Sequence, residues 1–333
     1  MTNENSGLRS RARRDFLCLA AAVAAPSVGG AREQSYPARP IKLIVPYPPG
    51  GGGDSIARAL AERLAEDLQQ PIIVDNRPGA NGVIGATAVA RSPADAYTLL
   101  LATDHQMAVN PNLFINMGFD PIRDFAPIGQ VARFPFVLTV PTSSPVHDVA
   151  SLVRHAKERP GQVNNATVGI ASQPHLAAEM FAQRAGLSLV HIPYKGMSPA
   201  ITDLIGGQVQ MLFATVSAVE PLIRSGRLKA IAVTGLQRLQ LLPDVPTLAE
   251  SGFYGLEVQA WYGLFAPVAS PQGSLDSLAF ALRKTVTDRR FVRQMASQGL
   301  EARHIDSTSL AALMASDRAR WGELVRKMGI KQE

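Results

Sequence analysis

Leu43-Ile44-Val45-Pro46-Tyr47-Pro48-Pro49-Gly50-Gly51-Gly52-Gly53-Asp54 decides how the rest of the chain is read. The β-branched run 41–45 predicts a buried strand. The prolines after it lack the N–H that a sheet ladder needs, so the strand stops there. Four glycines follow, and their missing Cβ allows backbone turns that place several N–H groups toward one point. Asp54 is positioned to cap the next helix. That helix is amphipathic: Ile56, Leu60, Leu64 and Leu68 share one stripe. A glycine loop between a strand and a helix start is a cradle for an anion, because free N–H groups and the helix dipole point the same way. A nucleotide loop is excluded, since Gly53-Asp54-Ser55 lacks the required lysine, and Ser55 stands where a dinucleotide fingerprint needs its third glycine. A small carboxylate and a plain glycine-rich turn remain as readings of the loop.

Working outward, the N-terminal side reads as a targeting segment. Arg9, Arg11, Arg13 and Arg14 precede a short apolar run, 16–25, and small residues follow up to Ala31. This pattern predicts a signal peptide over residues 1–31 and a periplasmic destination. Arg13-Arg14-Asp15-Phe16-Leu17 resembles a twin-arginine signature, with an Arg-rich Sec signal as the alternative. The single cysteine, Cys18, falls inside this segment, so the rest of the chain has neither disulfides nor thiol ligands for zinc. The chain of 333 residues carries a net charge of +6, dispersed rather than clustered with aromatics. That argues against a nucleic-acid partner and suits an anionic small ligand.

Toward the C-terminus, strands and helices alternate, as in an α/β fold with a parallel sheet. Strands are predicted at 72–74 and 97–102, the latter ending on Thr103-Asp104-His105. The turn cluster Asn76-Arg77-Pro78-Gly79-Ala80-Asn81-Gly82 precedes a small-residue helix at 83–90. A long extended stretch, 125–140, and a second one, 256–265, read as two crossings between domains. Between them lie further strands and helices, with Gly169-Ile170-Ala171-Ser172 and Tyr194-Lys195-Gly196 following two of the strands. The C-terminal helix carries the stripe Leu310, Leu313, Met314, Trp321, Leu324, Val325 and Met328, broken only by Asp317.

Six histidines occur at no metal-ligand spacing, and no cofactor motif is present, so neither a metal nor a cofactor is expected. His175 reads as a loop-tying residue and Trp261 as a packing residue on the crossing strand. An exported α/β hydrolase is the rival reading. Its nucleophile elbow has no match: Gly196-Met197-Ser198-Pro199-Ala200 lacks the last glycine and puts proline where a helix should begin.

These landmarks together resemble the periplasmic receptors of tripartite tricarboxylate transporters, the Bug or TctC family. The resemblance runs from Tyr36 to Lys331 and includes Pro193-Tyr194-Lys195-Gly196, Leu204-Ile205-Gly206-Gly207-Gln208-Val209, Leu242-Pro243-Asp244-Val245-Pro246-Thr247 and Trp261-Tyr262-Gly263-Leu264-Phe265-Ala266-Pro267. It implies a two-domain, type II-like periplasmic-binding-protein clamshell, each domain a mostly parallel sheet flanked by helices. Domain I would comprise residues 36–135 and 262–333, and domain II residues 136–261. It implies a monomer that holds a small carboxylate for membrane transporter subunits, or alternatively for a signalling system. Carried over by position, Tyr47, Gly50, Gly51, Gly52, Asp54 and Thr103 would contact the ligand from the first domain. Gly169, Ser172 and Lys195 would do so from the second. Relatives often have Gly or Ser in place of Asp104 and His105, and glycine in place of Ala171. If Asp104 faced the cleft it would oppose a second ligand carboxylate, since charges about 4 Å apart at an effective dielectric near 20 interact by roughly 4 kcal/mol. A turn residue facing solvent is the first expectation for Asp104. A cleft-facing Asp104 would instead favour a monocarboxylate bearing a donor group.

Overall fold

The computed structural model describes residues 36–330, so the signal segment expected over 1–31 and Lys331 lie outside the described residues. The chain opens with β1 (Ile41–Val45), α1 (Gly52–Leu68), β2 (Ile72–Asn76), α2 (Val83–Ala90) and β3 (Thr98–Thr103). A π-helical turn, His105–Val109, leads on to β4 (Phe125–Pro141). Then come α3 (Val149–Glu158), β5 (Val163–Thr167), α4 (Gln173–Ala185), β6 (Leu189–Pro193), α5 (Met197–Ile205), β7 (Met211–Thr215), α6 (Val216–Arg224) and β8 (Leu228–Val233). The chain closes with β9 (Gln259–Pro267), α7 (Gln272–Thr287), α8 (Arg289–Ser297), β10 (Glu301–Ala302) and α9 (Ser307–Lys327).

The strands form two sheets that share β4, giving a two-lobed α/β clamshell. In the first lobe β1 pairs in parallel with β2 and β3, and β9 lies antiparallel between β3 and the first part of β4. In the second, β5 pairs in parallel with β6 and β7, while β7 and β8 flank the last part of β4 antiparallel. The sheets are therefore mixed, not mostly parallel. The parallel pairs come from strand–helix–strand units. The strands that cross between the lobes run the other way and can only pair antiparallel. Partner exchange along β4 falls at Pro135 and Phe136: Pro135 faces Gln259 of β9, and Phe136 faces Thr215 of β7. Proline suits that position because it has no N–H to place in either ladder. The second crossing is knitted by Thr234. Its hydroxyl accepts from Phe136 N–H at 2.8 Å, and its N–H donates to the Phe136 carbonyl at 2.9 Å. Val258 N–H donates back to the Thr234 carbonyl at 3.1 Å, just before β9 begins.

The helices pack by the stripes read from sequence. Ile56, Leu60 and Leu64 of α1 are fully buried, each worth about 1.5–3 kcal/mol relative to exposure. On α9, Asp306 caps the start by accepting from Ser309 N–H at 2.7 Å. Asp317, the break in that stripe, is buried as well and accepts from Trp261 Nε1–H at 2.8 Å. Trp261 is 2% exposed and packs beside Phe265. Pro199 does not delay α5, which begins at Met197. In a first helical turn the missing proline N–H would have had no partner anyway. Among the described residues no helix is long and apolar enough to cross a membrane.

Candidate functional site

β1, β2 and β3 end along one edge, and β5, β6 and β7 end facing them. A cleft of about 1060 Å³ opens between the two sets of strand ends. Ligand crevices of α/β sheets form at such carboxyl ends, where loops and helix starts converge. Tyr47, Gly79, Asn81, Thr103, His105 and Gln106 line it from the first lobe. Gly169, Ser172, Gln173, Lys195 and Thr215 line it from the second, and Phe134, Phe136 and Tyr262 form its floor.

Five residues predicted from sequence, Tyr47, Thr103, Gly169, Ser172 and Lys195, are thus brought to one cleft. The Tyr47 hydroxyl lies 2.8 Å from both Thr103 Oγ1 and Gln106 Oε1. Gln106 Oε1 also accepts from Thr103 N–H at 3.0 Å. Burial pushes the Tyr47 phenol pKa upward, so it stays protonated and serves as a fixed neutral donor. Gly169 has φ +106°, and Ala171 has φ +55°. A left-handed alanine costs about 1–2 kcal/mol, and His175 holds it: Ala171 N–H donates to His175 Nδ1 at 3.0 Å. His175 is therefore loop-tying, as its sequence position predicts. Burial lowers its pKa to about 4, which keeps the ring neutral and able to accept. Ser172 heads α4 but does not cap it, and its buried hydroxyl oxygen has no hydrogen-bond partner among the described residues. Lys195 is exposed at the rim and forms no ion pair among the described residues.

The glycine loop behaves differently from its reading as an anion cradle. Gly50, Gly51, Gly52 and Asp54 do not line the cleft. Helix α1 already begins at Gly52 with Gly51 as its cap, so Asp54 sits within the first turn rather than at the cap. From there its Oδ2 accepts from Gly50 N–H at 2.9 Å and from Arg58 Nε–H at 3.0 Å. Its Oδ1 accepts from Asn76 Nδ2–H at 3.0 Å. These donors hold the carboxyl near a pKa of about 2. The Gly50 amide is thus spent on Asp54 within the loop itself, while Gly52 and Gly53 line a smaller pocket that shares Phe134, Thr215 and Tyr262 with the cleft. A side chain at Gly51 would meet only Pro48 O, at 3.7 Å. Gly51→Ser is expected to leave ligand affinity unchanged and to alter stability by no more than about 0.5 kcal/mol, since Ser and Gly are both accepted caps. Calorimetric titration of both proteins checks this, and a severalfold loss of affinity would restore the loop to the site.

Asp104 neither faces solvent nor lines the cleft: it is 0% exposed. Its Oδ2 accepts from Gln173 Nε2–H, the first residue of α4, and its Oδ1 from Trp261 N–H at 3.3 Å. Asp104 therefore ties the end of β3 in one lobe to the start of α4 in the other. Burial, and next the nearby Asp317, raise its pKa to about 8. His105 does line the cleft, and burial lowers its pKa to about 4, so it does not neutralise its neighbour.

Sequence reading missed the loop after β2, the aromatic floor and Gln106. The loop was recognisable as a turn, and its place after a strand was the available signal. There Ala80 and Asn81 take left-handed backbone between Gly79 and Gly82. The Asn81 carbonyl is held by Gln106 Nε2–H and Asn110 Nδ2–H, both at 3.1 Å.

Comparison with known proteins agrees with this architecture. Residues 56–330 match the model of the tripartite tricarboxylate transporter family receptor. Protein BugT of Bordetella pertussis is 37% identical over 298 residues, covering 89% of this chain and 91% of that protein. The structure of R. palustris Rpa4515 with adipate superimposes with a TM-score of 0.80 at 32% identity, covering 90% of this chain and all of that one. The periplasmic binding protein BugD gives a TM-score of 0.77 at 35% identity, with the same coverage.

Proposed function

The chain belongs to the tripartite tricarboxylate transporter receptor family, and from that premise we propose that it is a periplasmic receptor that captures a small carboxylate in the cleft and delivers it to the membrane subunits of such a transporter. The observation that carries the reading is the Ser172 hydroxyl, buried at the start of α4 in the cleft wall with its hydrogen-bonding capacity unspent. Leaving a buried hydroxyl unpaired costs about 1–3 kcal/mol, which a bound acceptor would recover. A carboxylate there meets the α4 dipole and the Lys195 ammonium as well. The adipate in the R. palustris relative supports a ligand of this class. Hydrolysis is disfavoured by the same geometry: His175 Nδ1 already accepts from Ala171 N–H, so it is not free to take a proton from Ser172.

In this proposal residues 36–135 with 259–330 form one moving lobe and 136–258 the other, three residues away from the expected boundary at 261 because β9 belongs to the first sheet from Gln259 onward, with hinges at Pro135–Phe136 and at Thr234–Val258. Thermal-shift screening of carboxylic acids is the test. A true ligand at 100 times its Kd should add about 2.7 kcal/mol of stability, and Ser172→Ala should weaken it about tenfold. Conversion of the ligand, or no saturable binding to any carboxylate, would overturn the proposal.

A further inference from the structure

Asp104 is a buried acid with no cation bonded to its carboxyl among the described residues. It is 0% exposed. Its oxygens are reached by one side-chain amide, Gln173 Nε2–H, and by one backbone N–H, that of Trp261 at 3.3 Å. The titratable groups packed around it do not compensate. Helix α9 presents Asp317 and Arg320, and Arg320 lies 3.5 Å from Asp317, so that cation serves Asp317 first. Tyr47 after β1 and Tyr262 on β9 are phenols that burial keeps protonated. His105, the next residue, is buried and neutral. An ionised carboxyl in this place would exchange its hydration for neutral donors and face a second carboxyl, so the protonated form is favoured. Burial first, and Asp317 next, raise its pKa to about 8.

The cover over this acid comes from the opposite lobe. Trp261, α9 and the turn after β3 belong to the first lobe and move with Asp104. Gln173 opens α4 of the second lobe, and α4 touches α9. Gln173 lines the cleft and Asp104 does not, so the Gln173 amide stands between the carboxyl and the cleft. Parting the lobes about Pro135–Phe136 and Thr234–Val258 would carry Gln173 away and admit cleft water to Asp104. A hydrated aspartate carboxyl loses its proton at about pH 3.9.

We propose that closing the lobes binds one proton at Asp104, so that the receptor takes up a proton together with its ligand and returns both on opening. The proton comes from the medium and joins a carboxylate oxygen as Gln173 and α4 approach. It leaves to water when they withdraw, and no other covalent bond forms or breaks. This rests on the reading of the protein as a clamshell receptor and adds a proton to what it carries. Between about pH 4 and 8 the open form has lost a proton that the closed form keeps, so the ratio of closed to open falls about tenfold for each pH unit. From pH 7 to 9 the remaining fall totals about tenfold. That window isolates Asp104. His105 and His175 are neutral there in either arrangement, and Asp317 keeps Trp261 and Arg320 within the first lobe in both.

Carbon-13 spectra of the intact, aspartate-labelled protein, titrated from about pH 4 to 9 without ligand, test the proposal. Asp104→Asn identifies the resonance, and Asp104→Ser replaces it if the asparagine variant does not fold. The Asp104 carboxyl should titrate near pH 8, and Gln173→Gly should lower that midpoint by at least about two units. Solution scattering should show the parent expanding reversibly between pH 7 and 9 at constant helix content, while the Asp104 variant keeps one radius throughout. A parent midpoint in the ordinary carboxylate range, or one that Gln173→Gly leaves in place, would overturn the proposal. A raised midpoint with no expansion would overturn it too, because the proton would then belong to the first lobe alone, and the receptor reading would stand. Failure of every carboxylate in the thermal-shift screen would overturn the receptor reading, and with it the joint uptake of ligand and proton.

Discussion

Gly299→Ala is expected to cost about 3–5 kcal/mol of stability and to weaken ligand binding, although Gly299 lies outside the ligand cleft. The residue follows α8 in the first lobe and has φ +73°. A Cβ built there falls 1.4 Å from Cγ1 of Val216, the buried first residue of α6 in the second lobe. Two costs therefore add: a left-handed alanine, and an overlap that is relieved only by moving one lobe away from the other. Thermal melting should drop by several degrees, and solution scattering should show an expanded particle with ligand present. Val216→Ala in the same background removes the colliding methyl and should restore part of both losses, leaving the backbone strain and a residual contact with the Val216 Cβ position at 2.9 Å. Unchanged melting and affinity in Gly299→Ala would refute the contact between the lobes at this point.

Asp104→Asn is expected to stabilise the protein by about 2–4 kcal/mol at pH 7 and to remove the loss of stability that accompanies a rise in pH from about 4 to 8. In the fold this carboxyl has a pKa of about 8, against an ordinary value of about 3.9. Between those values the folded protein keeps a proton that the unfolded chain has released. The stability it contributes is complete below about pH 4 and falls as the pH rises toward 8. Burial and the Trp261 bond leave Asp317 with a net upward shift that acts in the same sense. His105 and His175, both lowered to about 4, act in the opposite sense. The unfolded chain takes up their protons from about pH 6.5 downward, so their contribution is lost as the medium is acidified. Stability should therefore peak near pH 6–6.5. Asparagine mimics the protonated acid: it can accept from Trp261 N–H and, once the Gln173 amide flips, donate to Gln173. Urea denaturation from pH 5 to 8.5 reads the outcome directly. An Asn variant whose stability falls between pH 6.5 and 8 as steeply as the parent's would show that Asp104 is already ionised in the fold.

The two residues differ in how they were read. The departure at Asp104 was visible in the sequence, but its consequence was not. Only the packing of β3, β9, α4 and α9 around one carboxyl decides that it bridges the lobes instead of facing ligand or water. Gly299 gave no signal at all, because its neighbour Val216 is distant in the chain and meets it only when two lobes approach.

What the sequence alone determined is whatever depends on neighbours along the chain. The stripes of α1 and α9, the strand ends after Val45 and Thr103, the glycine and proline punctuation and the long β4 crossing all follow from periodicity and local backbone preference. These place Tyr47, Thr103, Ser172 and Lys195 at strand ends and helix starts, where an α/β sheet gathers its ligand groups. The tertiary structure decided which of those groups have hydrogen bonds to spare. The Gly50 amide looks free in sequence and is spent on Asp54, whose other carboxylate oxygen accepts from Asn76 in the next strand. The Ser172 hydroxyl looks like an ordinary helix cap and is left unpaired. Local sequence fixes where a donor sits along an element, but whether it is already satisfied depends on partners brought from elsewhere in the chain, and for Asp104 and Gln173 that separation is 69 residues.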